Sequence, residues 1–247
     1  MRPSDTPLVD CVWRSHSSDI GQLVSVASSH WHLIVGRTDG LTEVTVHGPE
    51  TRATKAPVPP HATWVGIRFR LGAVLDDLPV ADLVDRSRAL PEACHRSFWW
   101  KGTAWRLPTY ENAEGLVERL VREGLIGCEP VIDDALRGTS AELSLRTIQR
   151  RFHTATGLTR RAVRQIERAR HAGVRLREGA TPAEMTYELG YYDQPHLTRS
   201  LQRFLGQTPA ELADPCRHEQ LSLLYKTDAA GSPGVPFERI RHPRRRE

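Results

Sequence analysis

The chain has 247 residues, 39% hydrophobic and 26% charged, a balance that excludes intrinsic disorder and leaves room for two domains with cores of their own. No apolar run approaches the ~20 residues that span a bilayer. Met1-Arg2-Pro3-Ser4-Asp5 also lacks the apolar core of a signal peptide, so a cytoplasmic protein with no membrane partner is expected.

The first 75 residues read as β structure. The runs 33–35, 43–47 and 64–69 are short, rich in Val, Ile, Thr and aromatics, and bounded by Gly, Pro and Asp. Val44-Thr45-Val46-His47 and Val65-Gly66-Ile67-Arg68-Phe69 alternate as half-buried strands do. Pro57, Pro59 and Pro60 predict a loop between them. From about Leu83 the pattern turns helical, with interruptions at Pro91 and Pro108. The clearest helix of this half covers 111–123, with Ala113, Leu116, Val117, Leu120 and Val121 on one stripe. Gly124 and Gly127 predict a hinge near 124–129, and hence a first domain of residues 1–127.

Beyond the hinge, helix follows helix. Helices are predicted over 130–137, 144–156 and 159–177, the last burying Val163, Ile166, Ala169 or Arg170, and Gly173 or Val174. Thr181-Pro182-Ala183-Glu184 and Thr208-Pro209-Ala210-Glu211 are capping boxes with proline at the first helical position. These helices make a second domain, residues 128–213, and 214–247 reads as a largely disordered tail ending in the basic His242-Pro243-Arg244-Arg245-Arg246. The fold class is therefore α+β, a β-rich half followed by an all-α half.

A repeat runs through the helical half. Ile148, Gln149, Arg150, Phe152, Gly157 and Thr159 recur 49 residues later as Leu197, Thr198, Arg199, Leu201, Gly206 and Thr208. Ser144 and Asp193 stand at the matching N-cap positions. The segment 144–177 holds ten arginines against the single acid Glu167, although the whole chain nets only +4. Ordinary exposed helices mix both signs, so this patch points to a polyanion. A basic helix used twice suits a double-stranded one.

The second copy sits in a helix-turn-helix. Pro182 starts the first helix, Gly190-Tyr191-Tyr192 forms the turn, and Asp193 caps the second helix, which runs to Leu205. Leu197, Leu201 and Phe204 would face the core. Gln194, His196, Thr198, Arg199 and Arg203 are left outside, with the chemistry that reads base edges and phosphates.

The run Gly190-Tyr191-Tyr192-Asp193-Gln194-Pro195-His196-Leu197-Thr198-Arg199, followed by Phe204, Gly206 and Thr208-Pro209, resembles the signature of the AraC/XylS transcription regulators. The resemblance covers roughly 128–213 and implies two helix-turn-helix units joined by the long helix 159–177. It implies reading helices at 144–153 and 193–204, entering successive major grooves. Candidate DNA-binding residues are then Arg146, Thr147, Gln149, Arg150 and Arg151 in the first copy, with Gln194, His196, Thr198, Arg199 and Arg203 in the second. The partner implied is double-stranded DNA. RNA polymerase, a small-molecule effector and a homodimer formed through the N-terminal domain are further partners, and no cofactor is implied. The first copy departs from the second in its longer turn, Gly138-Thr139-Ser140-Ala141-Glu142-Leu143. We therefore expect sequence discrimination mainly from the second copy and salt-sensitive affinity mainly from the first.

Elsewhere the residues suggest little chemistry. His30-Trp31-His32 has metal-ligand spacing, with His47 and His61 as further candidates, but no carboxylate follows to complete a set. The region around it resembles the degenerate cupin-like or jelly-roll sensing domains that such regulators carry. Phe98-Trp99-Trp100 with Trp105 would either wall an apolar ligand pocket or anchor loops onto the β core or a dimer partner. Cys11, Cys94, Cys128 and Cys216 are scattered, which argues against a zinc site or a disulfide framework. Cys94 and Cys128 are redox-sensor candidates if exposed and near cations. There is no nucleophile motif, P-loop or Rossmann glycine pattern, so no catalytic residue is assigned and no enzyme is expected. Two rival readings stand beside the regulator. One is a DNA-alkylation-repair regulator, which would need clustered cysteines. The other is a metal-dependent cupin enzyme with an accessory helical domain.

Overall fold

The structure is a computed structural model that describes residues 1–137 and 143–214, apart from the side chains of Asp133 and Arg137. Most of the long first turn, the tail beyond Asp214 and Cys216 thus lie outside the described residues. In chain order the strands are β1 (Arg2–Pro3), β2 (Val9–His16), β3 (Gly21–Ser25), β4 (His32–Thr38), β5 (Leu41–His47), β6 (Thr54–Val58), β7 (Thr63–Phe69), β8 (Ala73–Leu75), β9 (Ser87–Ala89), β10 (Ser97–Trp100), β11 (Thr103–Arg106) and β12 (Ile126–Cys128). The helices are α1 (Ala113–Arg122), α2 (Val131–Arg137), α3 (Leu145–Thr156), α4 (Arg160–Arg177), α5 (Pro182–Glu188), α6 (Gln194–Leu205) and α7 (Pro209–Ala213). The α+β layout expected from the pattern is the one observed.

The main sheet is antiparallel in the order β1-β2-β7-β4-β5-β9. Alternation places Thr42, Val44 and Val46 of β5 inward, opposite β4, with Val35 facing Val44 in register. Trp31 stacks on Phe69 with ring centroids 3.7 Å apart and donates its indole N–H to Ala73 O. Gly66 has a packing reason: a Cβ there would lie 2.1 Å from the Trp13 ring, so only glycine lets that indole cross β7. Strand β2, with five buried residues at its start, carries no clean alternation, and the sequence reading missed it.

Three expectations for this half are corrected. The stretch after Leu83 is not helical. A 3-10 turn at Val80–Leu83 leads into β9 and the hairpin β10–β11, because aromatic residues and the positive φ of Glu92, Lys101 and Gly102 favour strands and turns. Pro57 lies within β6 rather than in a loop; among the described residues β6 pairs only with β3, so its other edge tolerates a residue without an N–H. The supposed hinge at 124–129 contains β12, which pairs with β8 through Ile126↔Leu75. Helix α1 buries Ala113, Leu116, Val117 and Leu120 as expected, but Val121 is 41% exposed.

The aromatic cluster is part of the core. Phe98, Trp100 and Trp105 are buried, and Trp105 donates its indole N–H to Trp100 O at 3.0 Å. Only Trp99, on the opposite face of the hairpin, reaches solvent.

A second apolar cluster holds the helices. Ile148, Phe152, Val163, Ile166, Ala169, Leu176, Met185, Leu197, Leu201, Phe204 and Leu212 meet there. It also takes in Val24, Val26 and Ala27 from the β half. In α4 both members of each alternative are buried, Ala169 with Arg170 and Gly173 with Val174. Helix bounds follow the caps. Ser144, Thr159, Thr181, Asp193 and Thr208 each accept a backbone N–H from the first turn, and the capping boxes at Thr181 and Thr208 are complete.

Candidate nucleic-acid interface

Helices α3 and α6 are built alike. Each begins on a capping side chain, Ser144 accepting from Thr147 N–H at 3.2 Å and Asp193 from His196 N–H at 2.6 Å. Each ends on a left-handed glycine, Gly157 with φ 69° and Gly206 with φ 74°. Between these stops, a 3.6-residue period buries Ile148 and Phe152 in one helix and Leu197, Leu201 and Phe204 in the other. What remains outside is polar. Arg146, Gln149 and Arg150 are exposed on α3, with Thr147 half-buried; Gln194, Arg199 and Arg203 are exposed on α6, with His196 and Thr198 half-buried.

The turn before α6 is braced from α4. Gly190 takes φ 68°, which lets the chain reverse. Tyr191 is buried beside Ser200, their hydroxyls 3.3 Å apart, and its ring meets His196 edge-on at 5.2 Å. The Arg168 guanidinium lies 4.2 Å from the Tyr191 ring centroid, over its face, and donates to Gly190 O at 3.4 Å. His196 Nδ1 accepts from Tyr192 N–H at 3.3 Å, so this imidazole holds the turn while its other edge remains available. Tyr192 itself is 90% exposed. An apolar ring left in water at the entrance to α6 is a surface feature that core periodicity does not reveal.

The ten arginines of 144–177 do not act as one patch. Arg146 and Arg150 make no ion pair among the described residues, nor do Arg161 and Arg164, which stand exposed on α4. Arg151, by contrast, donates to Glu129 at 2.6 Å. Arg175 lies 3.6 Å from Glu178, and Arg170 is buried. Part of the charge seen in the sequence is thus spent inside the molecule. On α6, Arg203 lies across the Phe204 ring at 5.0 Å, while Arg199 has no ion pair among the described residues.

The histidine and cysteine candidates lie elsewhere. His30 Nδ1 faces Phe69 O at 2.8 Å, which makes it the donor. His32 is buried on β4 with His47 opposite it in register, and burial lowers the pKa of all three histidines. Among the described residues no group of three or more His, Cys, Asp or Glu side chains could hold a metal ion. Cys94 and Cys128 are exposed. The Ser97 hydroxyl, 3.3 Å away, lowers the Cys94 thiol, whereas burial pushes Cys11 up to about 11.

Residues 139–214 match a family model described as a helix-turn-helix domain. No curated protein and no solved structure matches the chain. Among the described residues no helix is long and apolar enough to cross a membrane. Residues 139–214 are thus similar to a helix-turn-helix domain, which supports a DNA-binding transcription regulator of the AraC type.

Proposed function

We propose that the protein is a sequence-specific transcription regulator of the bacterial cytoplasm that reads two successive major grooves, with α3 in one and α6 in the next. The observation that carries this reading is the matched pair of helices, each N-capped, each closed by a left-handed glycine, and each leaving arginine and amide or hydroxyl side chains exposed. Helix N-termini bring such side chains to base edges, and the flanking arginines meet phosphates. Arg146, Thr147, Gln149 and Arg150 would serve the first groove, and Gln194, His196, Thr198, Arg199 and Arg203 the second. Arg151 would contribute less than expected, since Glu129 already holds it.

In this reading α4 is the connector between two helix-turn-helix units within 128–213, and the β-rich residues 1–127 form a jelly-roll-like partner domain without catalytic chemistry. A small-molecule effector, RNA polymerase and a second copy bound through that domain remain part of the proposal. Selection of bound duplexes from a random pool tests it. Two enriched boxes about one helical turn apart, ~34 Å, are expected. A single box, or no enrichment, would overturn the two-groove reading.

A further inference from the structure

Both reading helices end against the β half, at equivalent positions of the repeat. A Cβ on Gly157, at the end of α3, would lie 2.4 Å from Val84 Cγ2 and 2.9 Å from Ala81 Cα. A Cβ on Gly206, at the end of α6, would lie 3.1 Å from Val24 Cγ1 and 3.3 Å from Ala53 Cβ. At α6 the contact extends to the backbone. Ala53 N–H donates to Arg203 O and Ala27 N–H to Phe204 O, both at 2.8 Å. Carbonyls in the last turn of a helix have no partner within it, so here the β half completes the hydrogen bonding of the helix end. Two such bonds fix how far α6 extends and how it is rolled about its axis.

The connector is tied to the same segment. Arg170, 4% exposed, donates from Nη1 to Ala27 O at 2.9 Å, and Ser29 Oγ donates to Glu167 Oε1 at 2.5 Å. Residues 27 and 29 therefore hold α4 while residues 27 and 53 hold the end of α6. Near α3, Glu129 N–H donates to Gly72 O, and the Glu129 carboxylate holds Arg151. The apolar cluster of the helices includes Val24, Val26 and Ala27, so this junction is part of their core.

We propose that the β half acts as a ruler for DNA reading: by seating both glycine caps and bonding α4 and α6 together, it sets the separation and relative rotation of the two reading helices. Arg170, Glu167 and Ser29 are then positioning residues that act through α4. The spacing tolerated between the two DNA boxes becomes a property of the whole chain rather than of 139–214 alone. This rests on the two-groove reading proposed above.

The test uses the full chain and the duplexes recovered by selection, rebuilt with the interval between boxes changed by single base pairs, together with duplexes carrying one box. Wild type is expected to favour its selected interval by about tenfold over its neighbours, the range of ordinary coupling energies. Arg170→Met and Ser29→Ala should each flatten that preference while leaving affinity for single-box duplexes unchanged. Ser29→Ala removes a single hydroxyl bond and little volume, so it decides the matter if Arg170→Met fails to fold. A folded variant that keeps the wild-type interval preference overturns the ruler. So does a wild type that binds both boxes equally well at every interval. A selected motif with only one box overturns the two-groove reading itself and the ruler with it.

Discussion

The Arg170 guanidinium and the Ala27 carbonyl lie 2.9 Å apart in a buried site, joining helix α4 to a residue 143 positions earlier in the chain. Helical periodicity alone marks position 170 as inward-facing; it does not supply the partner. The carbonyl of a residue outside any regular strand does that.

Removing this guanidinium should be costly. In Arg170→Ala the Ala27 carbonyl loses a charged donor in a buried site, a change worth about 2–3 kcal/mol. Arg164→Ala, on the exposed side of the same helix, should stay within about 0.5 kcal/mol of wild type. Urea unfolding midpoints of the two variants test the contrast. Equal midpoints would mean that the Arg170 bond contributes nothing measurable.

Gly157 and Gly190 have nearly the same backbone angle, φ 69° and 68°, but different surroundings. An added Cβ meets nothing within 4 Å at Gly190, whereas at Gly157 it would clash with Val84 and with the Ala81 backbone. Gly190→Ala should therefore cost only the left-handed penalty, about 1–2 kcal/mol. Gly157→Ala should cost that plus an overpacking cost of about 1–3 kcal/mol. Thermal melts that rank the two variants in the opposite order would refute the packing argument.

The capped helices were legible because their signals are local. Ser144, Thr159, Thr181, Asp193 and Thr208 cap where the pattern places them, since a cap needs only its own first turn. The strands β10 and β11 were not legible, because their aromatic residues are spaced ambiguously and pair in a hairpin whose turn depends on Lys101 and Gly102 at positive φ. Charge was the most misleading signal. The arginine run suggested one patch for a polyanion, yet Arg151 answers to Glu129 and Arg170 to Ala27, partners that only folding brings near.

Glu50 gives the junction a pH dependence with a definite sign. Burial raises its carboxyl from 4.5 to about 6, and the Asp85 charge adds to this, while the hydrogen bond from Ser25 and the charge of Arg170 oppose it. The folded state keeps this proton where the unfolded chain has lost it. Stability therefore falls as pH rises from about 4.5 through about 6, and the penalty persists above. The buried His30, His32 and His47 act the other way, because their lowered pKa values cost stability as pH drops below 6.5. Comparing Glu50→Gln with wild type isolates the carboxyl. The variant should be more stable by up to ~2 kcal/mol near neutral pH, with the gap closing toward pH ~4.5. A gap that does not change with pH would show that Glu50 titrates normally.

The two adjacent arginines midway along α3 separate phosphate contact from structural pairing. Arg150 is exposed and has no ion pair among the described residues, whereas Arg151 is held by Glu129 at 2.6 Å. Each lysine or arginine that neutralises a phosphate adds about 0.9 to the slope of log affinity against log salt. Arg150→Ala should therefore lower that slope by about 1 on the selected duplex, and Arg151→Ala by clearly less. Arg199→Ala should cost ~1–3 kcal/mol on the selected box and relax the preference at one base position. Titrations at several salt concentrations, on matched and mismatched duplexes, distinguish these roles. If Arg151→Ala lowers the slope as much as Arg150→Ala, then the Glu129 pair opens on DNA and both arginines reach phosphate.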